Sequence, residues 1–218
     1  MIPIDHILEF ARPLAEAAAI TIFVSVGAFG LALALGLSLA VLRDFHPVAI
    51  IRWLVQVYVE IFRNIPSLTH LFLLFFGLAY VGVRLSSIAA SILGLGLIGA
   101  ASLSEVFRAS FESIHHGQRE SSLAVGLTPS QAFRTIILPQ AWRVALPPIG
   151  NYAVQLIKDT SLVAAIAAPE IMFTARNLVV NTFETTLVYT LAALLYLAIC
   201  LPLSRVIRHL EVKSATPR

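Results

Sequence analysis

The sequence predicts an all-α, polytopic membrane protein with about five transmembrane helices and a cytoplasmic helix pair between spans three and four. Three observations carry that prediction. Hydrophobic residues make up 58% of the chain and charged residues only 12%, with a mean hydropathy of +0.87, whereas soluble domains carry about 25% charged residues. Uncharged runs long enough for a bilayer crossing recur along the chain. Basic residues are also shared unequally between alternate connecting segments. Fifteen basic and 12 acidic side chains cannot solvate a 218-residue globule, and lipid is the solvent that tolerates such a surface.

A spanning helix needs roughly 20 largely apolar residues. The run 17–42 gives span one. The segment before it holds Asp5, Glu9 and Arg12 and has no basic n-region, and the run is too long for a signal-peptide core, so it is expected to be retained. The runs 64–83 and 85–104 anchor spans two and three, and 185–204 anchors span five. Span four is interrupted: 144–157 is uncharged, Lys158 and Asp159 intrude, and 160–169 is uncharged again. The expected spans are about 17–42, 58–83, 85–112, 142–167 and 183–207, within one domain covering 1–218, and the cytoplasmic loop is about 113–141. With the N-terminus outside, the inner segments hold Arg43, Arg52, Arg108, Arg119, Arg134, Arg143, Arg205, Arg208, Lys213 and Arg218, and the outer ones only Arg12, Arg84 and Arg176. That is a positive-inside pattern with the C-terminus in the cytoplasm. It also accounts for the net charge of +3 without nucleic acid.

The segment 108–143 is the longest polar stretch. Gly126 has the character of a helix stop. Thr128, Pro129 and Gln131 then read as an N-cap, a first-turn proline and a capping-box glutamine. Leu123, Val125, Leu127, Ala132, Phe133, Ile136 and Ile137 supply an apolar face, giving a helix–turn–helix across the cytoplasmic mouth. Pro139, Pro147 and Pro148 are expected to punctuate its exit into span four.

From Glu120 the chain reads Glu-Ser-Ser, then Gly126, Ile136 and Leu138-Pro139. This resembles the cytoplasmic "EAA" loop of ABC-importer permeases, with Ser121 and Ser122 in place of its two alanines. The blocks 58–66, 105–118, 133–148 and 158–162 further resemble the polar-amino-acid branch of those permeases, so the likeness covers nearly the whole chain. The resemblance implies a bacterial inner-membrane translocation subunit for histidine-, arginine-, glutamine- or glutamate-type cargo. It implies a second permease chain, identical or homologous, two cytoplasmic ATP-binding subunits and an extracytoplasmic substrate-binding protein. Glu120, Ser121, Ser122, Gly126, Phe133, Leu138 and Pro139 become the expected ATPase-coupling residues. The chain has no glycine-rich phosphate loop of Walker type, so ATP and Mg²⁺ are expected in the partner ATPase, with no cofactor and no catalytic residue here.

Charges within a span are expensive and face a cavity or a partner. Glu60, Arg63 and Asn64 precede the helix-breaking Pro66. Glu105 lies near the inner end of span three, Gln155, Lys158, Asp159, Thr160 and Ser161 interrupt span four, and Glu170 follows Pro169. Each is either a structural partner or a substrate contact, and the turn at 158–161 is expected to be unwound, with Lys158 and Asp159 paired to residues such as Glu60 or Arg63 or to the second subunit. A zwitterionic cargo needs both signs along its route. His115 and His116 lack a carboxylate or cysteine at ligand spacing, so no metal site is expected, and His70 is the one histidine within a span worth testing. Cys200 is the only cysteine, which rules out an internal disulfide. The alternative is a secondary transporter or channel for small polar solutes, which would use the same intramembrane charges but leaves the docking loop without a purpose. An intramembrane enzyme would need a nucleophile or metal motif, and neither Gly-x-Ser-x-Gly nor His-Glu-x-x-His occurs.

Overall fold

A computed structural model describes the backbone of residues 4–214 and the side chains of residues 7–211, and every regular element among them is helical. Helix α1, Ile4–Phe45, has 42 residues. At 1.5 Å per residue it is about 63 Å long, against a hydrocarbon core of about 30 Å, so it projects beyond the bilayer. Helix α2 is Ala49–Asn64, α3 is Ser67–Tyr80 and α4 is Ser87–Glu112. Helices α1 and α4 pack side by side in the same direction: Gly27 meets Ile92, Gly96 meets Leu31, and Gly36 meets Leu103. Small residues permit that approach.

Two parallel helices joined by a loop leave the chain on the wrong side unless something recrosses between them. Helices α2 and α3 do so as a pair, bent by 108° at Ile65–Pro66. Proline lacks the donor that would continue the helix and forces the preceding residue out of the α region, and Ile65 is accordingly extended at φ −97°, ψ 137°. Helix α5, His116–Ala124, leads to α6, Pro129–Ile166, which contains a π turn at Phe133–Ile137 and tightens to 3₁₀ geometry at Thr160–Ile166. Helix α7, Ile171–Thr182, departs from α6 at 48°. Helix α8, Thr185–Ser214, returns antiparallel to α6, so that Gly150 faces Ile207. Helices α1, α4 and α8 are each long and apolar enough to cross a membrane, and the two bent pairs bring the count to five.

The structure corrects several expectations. The helix pair at the second expected span starts at Ala49, ahead of residue 58, and Pro66 divides it near its middle. The second half of the cytoplasmic helix pair is not a separate helix but the first turns of α6. Pro139, Pro147 and Pro148 do not interrupt α6. The π turn that ends at Ile137 re-spaces the backbone bonds just before Pro139, where a regular helix would clash. The turn at 158–161 is tightened, not unwound: Thr160 Oγ1 donates to the Ile157 carbonyl at 2.6 Å and Ser161 Oγ to that of Lys158 at 2.8 Å. The break comes later, where Ala167 adopts φ 57° ahead of Pro169.

Candidate functional site

Two constellations concentrate the polar chemistry. The first is the loop between α4 and α6. Helix α5 ends in a Schellman motif, with Leu127 N–H donating to Ser122 O at 3.1 Å and Gly126 N–H to Leu123 O at 3.0 Å. Gly126 sits at φ +87°, a conformation that a Cβ disfavours. The next residues form a capping box: Thr128 N–H donates to Gln131 Oε1 at 2.9 Å, and Gln131 N–H to Thr128 Oγ1 at 3.4 Å. Phe133 wedges this loop into the bundle, its ring 4.5 Å from Phe45 and 5.3 Å from Phe111. Ser122 is buried, whereas Glu120, Ser121, Gly126 and Pro139 are exposed and Leu138 is half-buried. Leu123 and Val125 point apolar surface outward, 44% and 78% exposed.

The second constellation is a cavity of about 470 Å³ at the α2–α3 break. Arg63, Asn64 and Pro66 line one wall, Tyr152, Gln155 and Asp159 the opposite one, and Ser102 of α4 completes it. Asp159 accepts from Gln155 Nε2 at 2.9 Å, and Asn64 Nδ2 donates to Glu60 at 2.9 Å. These bonds run along single helices. Neither Lys158 nor Asp159 forms an ion pair with Glu60 or Arg63 among the described residues. Lys158 and Ser161 face the other way, into a separate cavity of about 340 Å³ with Tyr189 and Tyr196.

Besides Lys158 and Ser161, four of the predicted pathway residues, Glu60, Glu105, Thr160 and Glu170, do not line this cavity. Glu105 binds Arg43 and Arg108 at the C-terminal end of α4. Glu170 is fully buried, where it caps α7 by accepting from Phe173 N–H at 2.8 Å and holds α8 by accepting from Tyr196 Oη at 2.6 Å. Thr160 is buried against its own helix. His70 is buried too, its ring stacked 4.5 Å from Phe62 beside the break. Sequence reasoning missed Tyr152 and Ser102. Tyr152, Gln155 and Asp159 recur at i, i+3 and i+7, one stripe of a helix, and that spacing was available as a signal.

The family described as "Binding-protein-dependent transport system inner membrane component" matches residues 32–214. The probable glutamine ABC transporter permease protein GlnM of Bacillus subtilis is 37% identical over 193 residues, 88% of each chain. The glutamine transport system permease protein GlnP of Escherichia coli is 32% identical over 200 residues, 91% of each. Among solved structures, a crystal structure of an amino acid ABC transporter with histidines matches at TM-score 0.91 and 22% identity, covering 98% of this chain and 99% of that one. The MetNI methionine ABC transporter in an inward-facing conformation matches at TM-score 0.71 and 23% identity, covering 96% and 99%.

Proposed function

This chain belongs to the family of binding-protein-dependent transport system inner membrane components, and from that membership we propose how its two polar constellations divide the work of import. It is the membrane-embedded translocation subunit of an ABC importer for polar amino acids. It does not itself hydrolyse ATP in our proposal. Two partner ATPases bind ATP and Mg²⁺, a second permease chain completes the membrane unit, and an extracytoplasmic binding protein delivers the cargo. The N-terminus is outside and the C-terminus cytoplasmic, as supported by the skew in basic residues.

The carrying observation is that the docking loop leads through one tight turn at Gly126 into the helix that carries one wall of the cavity. Helix α6 begins at Pro129 within the capping box and runs without a break to Ile166, past Tyr152, Gln155 and Asp159. An ATPase engaging Glu120, Ser121 and the exposed apolar tips on α5 would therefore push on the Asp159 wall of α6 through the turn at Gly126. No hydrogen bond joins that wall to Arg63 or Asn64 among the described residues, so the two sides can part. Arg63 suits the carboxylate of a zwitterion and Asp159 its ammonium, while Asn64, Gln155 and Ser102 offer uncharged polar partners. Opening to alternate sides about this cavity would carry the amino acid across.

The test is uptake into vesicles containing the complex, screened across labelled amino acids with and without ATP. ATP-dependent uptake of a polar amino acid is expected, abolished when the ATPase is omitted. Uptake that needs no ATP and follows an ion gradient would favour a secondary transporter instead.

A further inference from the structure

His70 lies on the first turn of α3, just after the break at Pro66, and its backbone N–H donates to Pro66 O at 3.3 Å. The side chain is 8% exposed, and Nε2 is buried with no hydrogen-bond partner among the described residues. A buried polar atom left unsatisfied is costly, so hydrogen bonding does not explain a histidine here. The face of its ring does.

The imidazole lies 4.5 Å from the Phe62 ring and within 13° of parallel to it. Phe62 in turn meets the Tyr58 ring at 4.5 Å. Phe62 lines the cavity at the break together with Arg63, Asn64 and Asp159, whereas His70 and Tyr58 do not line it. Two rings outside the cavity therefore hold a third that faces it. The backbone has other supports. Tyr58 Oη donates to Leu97 O at 2.7 Å, which ties α2 to α4. Leu71 packs on α4 where Gly94 leaves room, since a Cβ there would lie 2.6 Å from Leu71 Cδ2. A change of the His70 side chain should thus leave both halves of the bent pair in place and release one ring.

We infer that His70 is a positioning residue for cargo: across the break between α2 and α3, its ring face holds Phe62 in the orientation that shapes the cavity wall. The inference rests on this cavity being the cargo site, and the test separates the two.

Two measurements are made on the assembled complex. 4-Fluorophenylalanine at position 62 reports the ring by ¹⁹F NMR with no cargo present. ATP-driven uptake of labelled histidine, arginine, glutamine or glutamate, whichever the vesicles accumulate, gives KM and Vmax. His70→Leu keeps an apolar volume and His70→Gln keeps a polar group, but neither has a ring. Both should move the ¹⁹F line toward that of the free amino acid. Both should also raise KM about fivefold, the scale of one aromatic pair, with Vmax and the yield of complex near the parent's. His70→Phe restores a ring without the nitrogen and should match the parent in both measurements. A ring-less variant with the parent's ¹⁹F line overturns the inference. So does a parent-like KM in His70→Gln when His70→Phe has lost it, because Nε2 would then act by hydrogen bonding. A fall in Vmax at unchanged KM overturns it too, since His70 would then serve the motion and not the wall. A shifted ¹⁹F line with KM and Vmax both unchanged means that cargo passes elsewhere, which overturns the cavity reading and with it the part of His70 in import.

Discussion

The docking loop and the cavity are built by opposite means. In the loop, each turn is closed by bonds between residues no more than five apart: the Schellman bonds around Gly126, the capping box at Thr128, and Ser122 Oγ donating to Arg119 O at 2.7 Å. The cavity draws Arg63, Ser102 and Asp159 from three distant parts of the chain and ties its facing walls with no hydrogen bond among the described residues. A lever must be stiff, and a passage must be able to part. Each region is constructed as its proposed task demands.

The largest effect is expected where the cavity's support is tightest. A Cβ added at Gly99 would lie 2.6 Å from the Tyr152 hydroxyl and 2.7 Å from Ala32 Cβ, joining α1, α4 and α6 in one clash. Overpacking of this kind costs about 1–3 kcal/mol or more. Gly99→Val should sharply reduce the folded, membrane-inserted protein, measured as monodisperse material after solubilisation. Normal yield with normal uptake would mean that the three helices are not close-packed there.

Asp159→Asn probes the parting walls themselves. The amide keeps the size and can still bond Gln155, so assembly should be normal while ATP-driven uptake falls at least about tenfold, a loss of about 1.4 kcal/mol or more in cargo interaction. Lost assembly with residual uptake would make Asp159 structural. Unchanged uptake would remove it from the passage.

These two regions also differ in how far the chain alone revealed them. Gly126, Thr128, Pro129 and Gln131 specify their turns through local rules, and those turns appear as expected, although the second helix of the pair runs on into α6. Apolar length marks the three helices that can each cross a membrane and the two bent pairs that bring the count to five, with the helix break at Pro66. The cavity was legible only as a set of polar positions. Glu170 and Glu105 carry the same charge as Asp159, and nothing in their immediate sequence shows that Tyr196, Arg43 and Arg108 wait for them from other helices. Likewise, the 3₁₀ tightening at Thr160–Ile166 and the left-handed Ala167 depend on packing against α3 and α7, not on local preference. The π turn before Pro139 was hidden for a related reason: a proline read locally says only that the helix should stop.

Stiffness of the lever can be tested without touching the cavity. Gly126→Val places a β-branched side chain at φ +87°, a strain of about 1–2 kcal/mol. The bundle should fold, because no described atom lies near the added Cβ. ATP hydrolysis should continue while uptake per ATP falls several-fold. A variant with uptake and hydrolysis in their original ratio would show that the turn at Gly126 does not transmit force.

The mildest change is Thr128→Ala, and it distinguishes a stiff lever from a merely exposed loop. Thr128 Oγ1 accepts from Gln131 N–H, and the Thr128 hydroxyl also reaches Gln131 Oε1 at 2.9 Å. Alanine removes both side-chain interactions but leaves the backbone N–H donating to Gln131. Loss of a threonine N-cap costs about 1 kcal/mol, and it falls on the first turn of the helix whose far end carries Asp159. Global stability should change little, because the Phe133 wedge and the rest of α6 are intact. Amide exchange at 128–132 should speed up about fivefold, with a smaller fall in uptake per ATP than Gly126→Val produces. Faster exchange with undiminished coupling would place the lever entirely beyond this turn, starting at Phe133, where the rings of Phe45 and Phe111 already grip the helix.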